Sequence, residues 1–413
     1  MATLSIDSDR LWASLMELAK IGATAKGGVR RLALSELDGQ ARDLFIRWCK
    51  DAGCSVSVDG IGNIFARRPG KDDRLPPIIT GSHIDTQPSG GKFDGNYGVM
   101  AGLEVVRTLN DHGVQTEAPV EVAVWTNEEG SRFTPVMMGS GVFIGAFPLE
   151  STLQRADLEG ITVGQALKSI GYAGDAPAGG RPVGAYFEAH IEQGPILEDT
   201  NNVLGVVIGA LGLRWYDVVV TGQDAHAGPT PMRLRRDALV AASKMVAEIN
   251  ALAYRYQPDG RSTVGFMQVK PNSRNVIPGE VRFSVDLRHA EEAMLDQMES
   301  DMRALCERLA RAGNTGATVD RVSNYPACKF DAGCVSAVRD SARKLGLRHM
   351  DIVSGAGHDA IFMARVAPTS MIFVPCEGGV SHNETENAKP EDLAAGCNVL
   401  LDVILAQARI VPS

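Results

Sequence analysis

The alternation of hydrophobic and polar residues along the chain predicts a series of helices and strands. In the first half, apolar residues at helical spacing predict helices, whereas short apolar runs and strict alternation predict strands. The predicted helices cover residues 7–22, 35–52 and 97–110, and the predicted strands cover residues 55–65, 76–80, 119–125 and 183–191. Alternating strands and helices are typical of an α/β sheet, whose functional sites lie where strands end.

The order of the predicted elements changes after residue 211. Strand, helix, strand, strand, helix and strand follow one another, which is the order of the split βαβ, or ferredoxin-like, unit. These six elements are expected over residues 214–221, 235–256, 263–270, 280–288, 291–312 and 316–322. Glycines at 205, 209 and 212 indicate a hinge that leads into this unit.

The α/β pattern resumes near residue 326. A helix is expected over residues 331–345, a buried strand over 369–375, and a helix over 390–407 with proline in its first turn. We therefore expect one mixed-sheet α/β domain that is interrupted by a small inserted domain. The predicted bounds are 1–211 and 326–413 for the α/β domain, and 212–325 for the insert.

Composition and charge narrow the class of protein. The 413 residues are 44% hydrophobic and 22% charged, as in ordinary globular proteins. A net charge of −9 argues against nucleic acid or an acidic membrane as a partner. The first residues lack the pattern of a secretion signal, and the apolar runs are too short to span a membrane. Seven scattered cysteines without a C-x-x-C pair favour free thiols, so we expect a cytoplasmic protein.

A glycine-rich loop, residues 81–98, follows the strand predicted at 76–80. His83 and Asp94 lie in this loop, and both side chains are donors that suit a divalent metal ion. The alternative is a hydrogen-bonded turn, in which Asp and Gly are also common. Asp85, two residues after His83, is a candidate for a carboxylate that orients the imidazole without binding metal itself.

Two adjacent acids, Glu128 and Glu129, follow the strand predicted at 119–125. Adjacent acids on a turn are often only solvated charge, but here they come directly after a strongly apolar strand. Because consecutive side chains point in different directions, one acid can bind metal while its neighbour reaches a water molecule. That division suits metal-assisted hydrolysis, which needs a Lewis acid and a general base.

Two further histidines, His190 and His382, follow predicted strands. Together with His83, Asp94 and Glu129 they make a set of five nitrogen and oxygen donors without a thiolate. Five such donors fit two adjacent divalent ions, bridged by one carboxylate, better than a single closed structural site. Zinc is the expected ion, and manganese or cobalt would suit the same donors.

Four other residues give weaker signals. His226 stands in the segment DAHAGP between a predicted strand and a helix, and Asn275 and Arg288 flank the strand predicted at 280–288. Arginine can bind a carboxylate with a bidentate fork and asparagine can add a hydrogen bond, although each can equally be an ordinary surface residue. His358 lies in another glycine-rich loop and is expected either beside the metal ligands or in a structural role.

Eight sequence motifs together carry a resemblance to a known family. The chain resembles the dinuclear metallo-amidohydrolases related to aminoacylases and carboxypeptidases, in the branch of N-carbamoyl-L-amino acid hydrolases, β-ureidopropionases and allantoate amidohydrolases. The motifs are GSHIDTQPSGGKFDGNYGV, WTNEEGSRF, EAHIEQGP, DAHAGPTPM, SRNVIPG, DLRH, SGAGHDA and GGVSHNETE. The resemblance covers nearly the whole chain. It implies a metallopeptidase-like catalytic domain whose inserted ferredoxin-like domain is a dimerisation or lid domain.

The resemblance also implies how the metal donors divide. It implies that His83 and His190 bind different metal ions, that Asp94 bridges the two ions, and that Glu129 and His382 complete the site. Peptidase members of the superfamily carry an acid where His190 stands. This difference disfavours a peptidase and favours the branch that hydrolyses ureido compounds.

For catalysis and substrate binding, the resemblance implies a further set of roles. Glu128 is the implied general base, and His226 is implied to steady the negatively charged oxygen that forms during the reaction. Gln193, Asn275 and Arg288 are implied to hold the substrate.

The expected function is hydrolysis of an N-carbamoyl amino acid to the amino acid, ammonia and carbon dioxide by a homodimer. Hydrolysis of allantoate is the nearest alternative, and an aminoacylase or dipeptidase is a more distant one. From another class of function, the alternative is a metal-stabilised binding protein without catalysis.

Overall fold

The computed structural model of the chain describes residues 4–411, which form two compact units. Unit 1 consists of the described parts of Met1–Ile208 and Lys329–Ser413, and unit 2 consists of Gly209–Cys328. Within residues 4–411, no helix is long and apolar enough to cross a lipid bilayer.

The chain forms helices and strands in alternation through most of its length. The helices are α1 (Ser8–Ala19), α2 (Glu36–Asp51), α3 (Asn96–Asp111), α4 (Met138–Phe143), α5 (Leu149–Leu153), α6 (Val163–Ser169), α7 (Ile196–Asp199), α8 (Ala238–Ala253), α9 (Glu292–Ala312), α10 (Ala332–Lys344), α11 (Asp359–Met363) and α12 (Pro390–Ala408). The strands are β1 (Ser55–Val58), β2 (Ile64–Arg68), β3 (Ile78–His83), β4 (Val120–Trp125), β5 (Ala185–Ile191), β6 (Leu204–Ala210), β7 (Gly212–Thr221), β8 (Ala225–His226), β9 (Arg261–Thr263), β10 (Met267–Lys270), β11 (Val276–Ile277), β12 (Glu280–His289), β13 (Gly316–Tyr325), β14 (Cys328–Lys329), β15 (His349–Ser354) and β16 (Thr369–Val374).

The larger sheet is mixed and has the strand order β1-β2-β4-β3-β5-β16-β6-β14, with β15 paired to β6. Its central pairs, β4 with β3, β3 with β5, and β5 with β16, are parallel, whereas β2 with β4 and β16 with β6 are antiparallel. The four central strands are buried along their whole length, as expected for strands covered by helices on both faces. The prediction of a mixed-sheet α/β fold is confirmed.

The carboxyl ends of the parallel strands lie at the same edge of this sheet. His83, the last residue of β3, is paired with Trp125, the last residue of β4. His190, near the end of β5, is paired with Phe373, near the end of β16. Side chains in the loops that follow these strands are therefore brought together, which is where open α/β sheets carry their sites.

The smaller sheet, in unit 2, is antiparallel and has the order β10-β12-β7-β13, with β9 paired to β12. Helices α8 and α9 supply apolar residues to a core shared with β7 and β12. The prediction of a single strand over residues 263–270 was wrong, because the chain forms β9 and β10 with residues 264–266 between them. Glycine at 265 interrupts the strand pattern there.

A second predicted strand, over residues 55–65, is also two strands. β1 and β2 pair as an antiparallel hairpin. The turn between them is closed by the Asp59 carboxylate, which accepts hydrogen bonds from the N–H groups of Ile61 and Asn63 at 3.1 and 2.9 Å. A side chain that captures nearby main-chain N–H groups in this way favours a turn over a continuous strand.

Two of the three glycines expected to form a hinge, Gly205 and Gly212, have packing roles in the structure. Gly205 lies inside β6, and a Cβ atom there would stand 2.8 Å from Ile352 Cγ2. Gly212 begins β7, and a Cβ atom there would stand 2.6 Å from the Ala327 nitrogen. At these two positions glycine allows neighbouring chain segments to approach closely, which is a reason for glycine other than flexibility.

Candidate metal and catalytic site

The five predicted metal donors all lie in unit 1, at the carboxyl edge of the larger sheet. His83 ends β3, and His190 is the last residue but one of β5. Glu129 follows β4, His382 follows β16, and Asp94 precedes α3. The ends of four adjacent strands and the loops that follow them thus supply the donors, although the residues are distant from one another in sequence.

The first group of donors contains His83, Asp94 and His190. Oδ1 of Asp94 lies 3.6 Å from His83 Nε2 and 3.2 Å from His190 Nε2. Ligands that each bind a tetrahedral ion at roughly 2.0–2.2 Å are about 3.4 Å apart. The spacing of this group therefore fits a bound divalent ion.

The second group contains Asp94, Glu129 and His382. Here the other oxygen of Asp94, Oδ2, lies 3.3 Å from His382 Nε2, and this nitrogen is 3.3 Å from Glu129 Oε2. Asp94 belongs to both groups and presents one oxygen to each. A carboxylate shared in this way suits a bridging ligand between two adjacent ions.

The geometry favours a different division of the histidines from the one that the resemblance implied. The resemblance implied different ions for His83 and His190, but their Nε2 atoms share Oδ1 of Asp94 in one group. The reason is topological: β5 is the direct parallel neighbour of β3, so both imidazoles reach the same side of Asp94. The residue opposite them is His382.

A third set of possible donors, Glu188, His190 and His358, is already used in hydrogen bonds. Glu188 Oε1 accepts from the Ser82 hydroxyl at 2.6 Å, and Oε2 accepts from the Tyr186 hydroxyl at 3.0 Å and from the Ala360 N–H at 3.1 Å. We therefore interpret this set as a buried network that supports the site.

The two buried imidazoles are oriented by main-chain carbonyl groups. Nδ1 of His83 lies 2.9 Å from the carbonyl oxygen of Asp85, and Nδ1 of His190 lies 2.8 Å from that of Ile191. Because a carbonyl oxygen only accepts, each Nδ1 carries a hydrogen, and Nε2, which faces Asp94, is the nitrogen left to bind a metal ion once it has lost any proton of its own. This is the tautomer that a metal-binding histidine needs.

The Asp85 carboxylate has a different place from the one expected. Its Oδ1 lies 3.8 Å from His83 Nδ1, beyond hydrogen-bond distance. Instead, Oδ1 and Oδ2 accept the N–H groups of Glu128 and Glu129, each at 3.3 Å. The main chain of Asp85 thus orients His83, while its side chain orients the turn that carries the two acids.

Glu128 is almost completely buried and points at the first donor group. Its Oε2 lies 3.5 Å from His83 Nε2. Burial, together with the nearby acids Asp359, Glu129 and Asp85, raises the pKa of Glu128 well above its usual range, and His83 partly opposes this rise. A carboxylate with a raised pKa accepts a proton more readily, which suits a general base.

The buried carboxylates of the site outnumber the imidazoles beside them, so the imidazoles cannot neutralise all of their negative charge. Five of them are buried, namely Asp85, Asp94, Glu128, Glu129 and Glu386. Buried carboxylates are costly unless they are paired or bind metal, and four of these lie beside histidines rather than lysine or arginine. The excess negative charge is a second reason why this donor set fits divalent cations.

The pKa values of the second donor group depart from their ordinary ranges. Burial raises the pKa of Glu129 to about 7, with Asp94 contributing. Hydrogen bonding to Asp94 raises the pKa of His382 to about 9. Burial alone would raise the pKa of Asp94, but its hydrogen bonds to His190, His382 and His83 hold that pKa well below the usual range.

Glycines in the loop 81–98 make room for protein atoms. A Cβ atom at Gly95, whose φ is +66°, would lie 2.4 Å from Nε2 of the His83 ring. A Cβ atom at Gly91 would lie 2.0 Å from Glu386 Oε1. Small residues here let metal-binding and buried acidic side chains approach the loop closely.

Gln193 reaches the shared carboxylate from the loop after β5. It has a φ of +58°, and its Nε2 donates to Asp94 Oδ2 at 2.8 Å. Its Oε1 is buried and accepts no hydrogen bond from the described residues.

His358 packs against the first donor group. It is buried, its ring centroid lies 4.6 Å from that of His190, and its Nε2 lies 3.0 Å from the Ser354 hydroxyl. Burial lowers the pKa of His358 well below its usual range, with His190 contributing. A neutral imidazole in van der Waals contact with His190 fits a supporting role.

The other three predicted residues lie in unit 2. His226 and Asn275 come together, because His226 in β8 pairs with Val276 in β11 and the Ala227 N–H donates to the Asn275 carbonyl at 2.9 Å. Arg288, on β12, donates from Nε and Nη2 to the Asp286 carboxylate at 3.1 and 2.8 Å. Both His226 and Asn275 are exposed.

Three residues of the site were missed from the sequence. Gln87 donates to both oxygens of Glu129, from its main-chain N–H at 3.1 Å and from Nε2 at 2.7 Å. Ser381 and Glu386 hydrogen-bond with the Asp94 loop. All three had a signal, since Ser381 and Glu386 stand in the motif of His382 and Gln87 stands in that of His83, but their contacts arise only from folding.

Comparison with known proteins gives a family and close relatives. A sequence model described as Peptidase family M20/M25/M40 matches residues 79–406. An N-carbamoyl-L-amino-acid amidohydrolase of Rhizobium meliloti is 48% identical over 410 residues, which are 98% of each chain. An allantoate amidohydrolase of Bacillus subtilis is 34% identical over 94% of each chain.

A solved structure is also very similar. An amidase of the hydantoinase/carbamoylase family from Burkholderia multivorans is 56% identical over 98% of each chain, with a TM-score of 0.96. The resemblance drawn from the sequence motifs is confirmed by these relatives.

Proposed function

The chain belongs to peptidase family M20/M25/M40, and on that premise we propose that it is an amidohydrolase that cleaves the ureido C–N bond of N-carbamoyl-L-amino acids. The products would be the amino acid, ammonia and carbon dioxide. The observation that carries the proposal is the pair of donor groups joined at Asp94, with Glu128 beside them. The similarity to N-carbamoyl-L-amino-acid amidohydrolases supports the choice of substrate.

We propose that two divalent ions, zinc in the first place and otherwise manganese or cobalt, are bound by the two donor groups. His83, Asp94 and His190 would hold one ion, and Asp94, Glu129 and His382 the other. Such ions supply Lewis acidity that favours deprotonation of water and stabilises negative charge on a carbonyl oxygen.

Glu128 has the position and chemistry of the proton carrier in this reaction. It would take a proton from a water molecule as the water oxygen attacks the ureido carbonyl carbon. It would then give that proton to the nitrogen that leaves as one C–N bond breaks, and the carbamic acid that remains would lose carbon dioxide and so release the second nitrogen. The main-chain N–H groups of Glu128 and Glu129 donate to the Asp85 carboxylate, so the turn that carries the base is fixed before substrate arrives.

Substrate binding is proposed on the basis of the family resemblance. Gln193 would bind the ureido group, whereas Asn275 and Arg288 would bind the substrate carboxylate. His226 would stabilise the negative oxygen of the tetrahedral intermediate.

A homodimer formed through unit 2 is likewise proposed. β10 is an edge strand, and Phe266 and Met267 beside it are 51% and 40% exposed. Edge strands with exposed apolar side chains are ready to pair with another chain. We place the protein in the cytoplasm, because its seven cysteines are free and six of them are buried.

Allantoate hydrolysis is the second candidate. The similarity to the allantoate amidohydrolase of Bacillus subtilis supports it, since allantoate also carries ureido groups and a carboxylate. A side-by-side assay of N-carbamoyl-L-amino acids, N-carbamoyl-β-alanine and allantoate separates the candidates. Preference for allantoate would overturn the primary proposal while leaving the amidohydrolase class intact.

The catalytic assignment is tested by a matched pair of substitutions. Glu128→Gln should reduce turnover by about 10²–10⁴-fold, because the proton carrier is lost, while both ions stay bound. Glu129→Gln should weaken binding of one ion. Metal content by elemental analysis and turnover are measured on both variants. Retained turnover in Glu128→Gln would refute the role of Glu128 as proton carrier.

A further inference from the structure

Glu386 is a buried acid that contacts the loop of the shared metal donor. It lies in the segment after His382 and is 1% exposed. Its Oε1 accepts the main-chain N–H groups of Phe93 and Asp94 at 2.9 and 3.1 Å. These bonds join residues that are 293 and 292 positions apart in sequence.

The second oxygen of Glu386 is linked to the Asp94 side chain through a hydroxyl group. Ser381 Oγ lies 2.9 Å from Glu386 Oε2 and 3.0 Å from Asp94 Oδ2. Asp94 Oδ2 is the oxygen that faces His382. Glu386 is therefore connected to both the main chain and the side chain of Asp94, on the side of the second donor group.

The glycine-rich loop is shaped around this acid. A Cβ atom at Gly91 would lie 2.0 Å from Glu386 Oε1 and 2.5 Å from Glu386 Cβ, so any other residue there would displace Glu386 or the loop. The Glu386 N–H donates to the Asn383 carbonyl at 3.0 Å, which fixes the turn after His382. One side chain thus ties the turn that carries His382 to the loop that carries Asp94.

We propose that Glu386 is a positioning residue that sets the alignment of Asp94 with His382 and thereby the affinity of the second donor group for its metal ion. The proposal rests on the proposed metal centre. Hydrogen-bonding partners of metal ligands commonly contribute about 10–100-fold to metal affinity. Loss of Glu386 frees the 93–94 peptide and removes one partner of the Ser381 hydroxyl, so Oδ2 of Asp94 is held opposite His382 less firmly, by Ser381 and Gln193 alone.

The test compares zinc binding by graded variants. Glu386→Gln keeps an acceptor for the two N–H groups, and its zinc dissociation constant at one site should rise about 10-fold, whereas Glu386→Ala should approach 100-fold. Ser381→Ala should show a smaller loss of zinc affinity at the same site. Chelator competition with metal-free full-length protein gives the two constants, and anomalous scattering from crystals grown with zinc identifies the site.

The control is another buried glutamate of unit 1. Glu104 on α3 accepts hydrogen bonds from Asp7 and Arg10. Glu104→Gln should lower the thermal unfolding midpoint without changing either zinc dissociation constant. Should Glu386→Ala fail to fold, Glu386→Gln and Ser381→Ala decide the question.

Zinc dissociation constants within twofold of the wild-type values in both Glu386→Gln and Ser381→Ala would overturn the proposal. An equal loss of zinc affinity at the two sites would also overturn it. At saturating zinc, Glu386→Gln should lower kcat and leave KM unchanged, since the substrate contacts are elsewhere. A wild-type protein that binds two zinc ions but hydrolyses none of the ureido substrates would refute the proposed function alone, because zinc affinity is read without substrate.

Discussion

The donor atoms of the site are aimed by main-chain groups that the sequence motifs do not reveal. The carbonyl of Asp85 fixes the His83 ring, and the carboxylate of the same residue holds the turn of Glu128 and Glu129. Asp85 therefore couples a metal ligand to the proposed base. Small errors in such geometry are costly, because catalytic groups must be held close to their productive positions.

Metal affinity should rise with pH between about 6 and 9. The ligands must lose their protons to bind metal, and the pKa values of Glu129 and His382 are about 7 and about 9. Below pH 7 both protons compete with the ion, so the affinity should fall by about tenfold per pH unit for each proton displaced. Chelator competition at several pH values measures this, and a constant affinity across the window would contradict it.

In the metal-free protein, the same pKa values determine whether the free energy of unfolding rises or falls with pH. The pKa values of Glu129 and His382 are raised above the unfolded values, so the stability they contribute is present at low pH. That stability is lost as pH rises through about 7 and then about 9.

At the scale of elements, the loops that follow the parallel strands bring the proposed donor residues close together. β3, β4, β5 and β16 end at one edge, and their loops carry acids or imidazoles. The glycine-rich loop after β3 fits among these side chains only because specific positions have no Cβ atom. Its glycines are therefore requirements of packing as well as of backbone conformation.

A comparison of two glycines with similar φ angles distinguishes the requirement of packing from that of backbone conformation. Gly95 and Gly113 have φ values of +66° and +59°, but only at Gly95 would a Cβ atom meet His83, whereas no described heavy atom lies within 4 Å at Gly113. Gly113→Ala should cost about 1–2 kcal/mol in the free energy of unfolding, the usual cost of a left-handed conformation. Gly95→Ala should cost more and should also weaken zinc binding.

Urea unfolding and chelator competition on both variants check this prediction. Equal destabilisation of the two variants, with zinc affinity unchanged in Gly95→Ala, would show that the His83 ring adapts to the added methyl group.

At the scale of the whole molecule, the two units have separate cores and only unit 1 holds the proposed metal ligands. Removing metal should therefore destabilise unit 1 selectively. An ion present at 1,000 times its dissociation constant contributes about 4 kcal/mol to the unit that binds it.

Hydrogen exchange of the metal-loaded and chelator-treated protein, resolved by peptide, tests this selectivity. Exchange should accelerate in β3, α3 and β5 and stay unchanged in α8, α9 and β12. Equal acceleration in both units would mean that they unfold as one cooperative body.

The sequence by itself determined the types and approximate positions of most elements, because helix and strand periods are local properties. It also determined the residues that occupy the strand ends, since His83, Glu128, Glu129, His190 and His382 each follow an apolar run. Its errors are local too. The strands predicted over 55–65 and 263–270 are interrupted by turns that depend on single side chains or glycines.

Only the tertiary structure decided which of the proposed donors lie together and which groups hold them in place. His83 and His190 fall in one group because β3 and β5 are neighbours, and Glu386 meets Asp94 across 292 positions of sequence. Such contacts depend on strand order and loop conformation, which are set by the packing of the whole unit. A periodic pattern specifies which face a residue occupies, but it does not specify the distant residue that the fold places opposite.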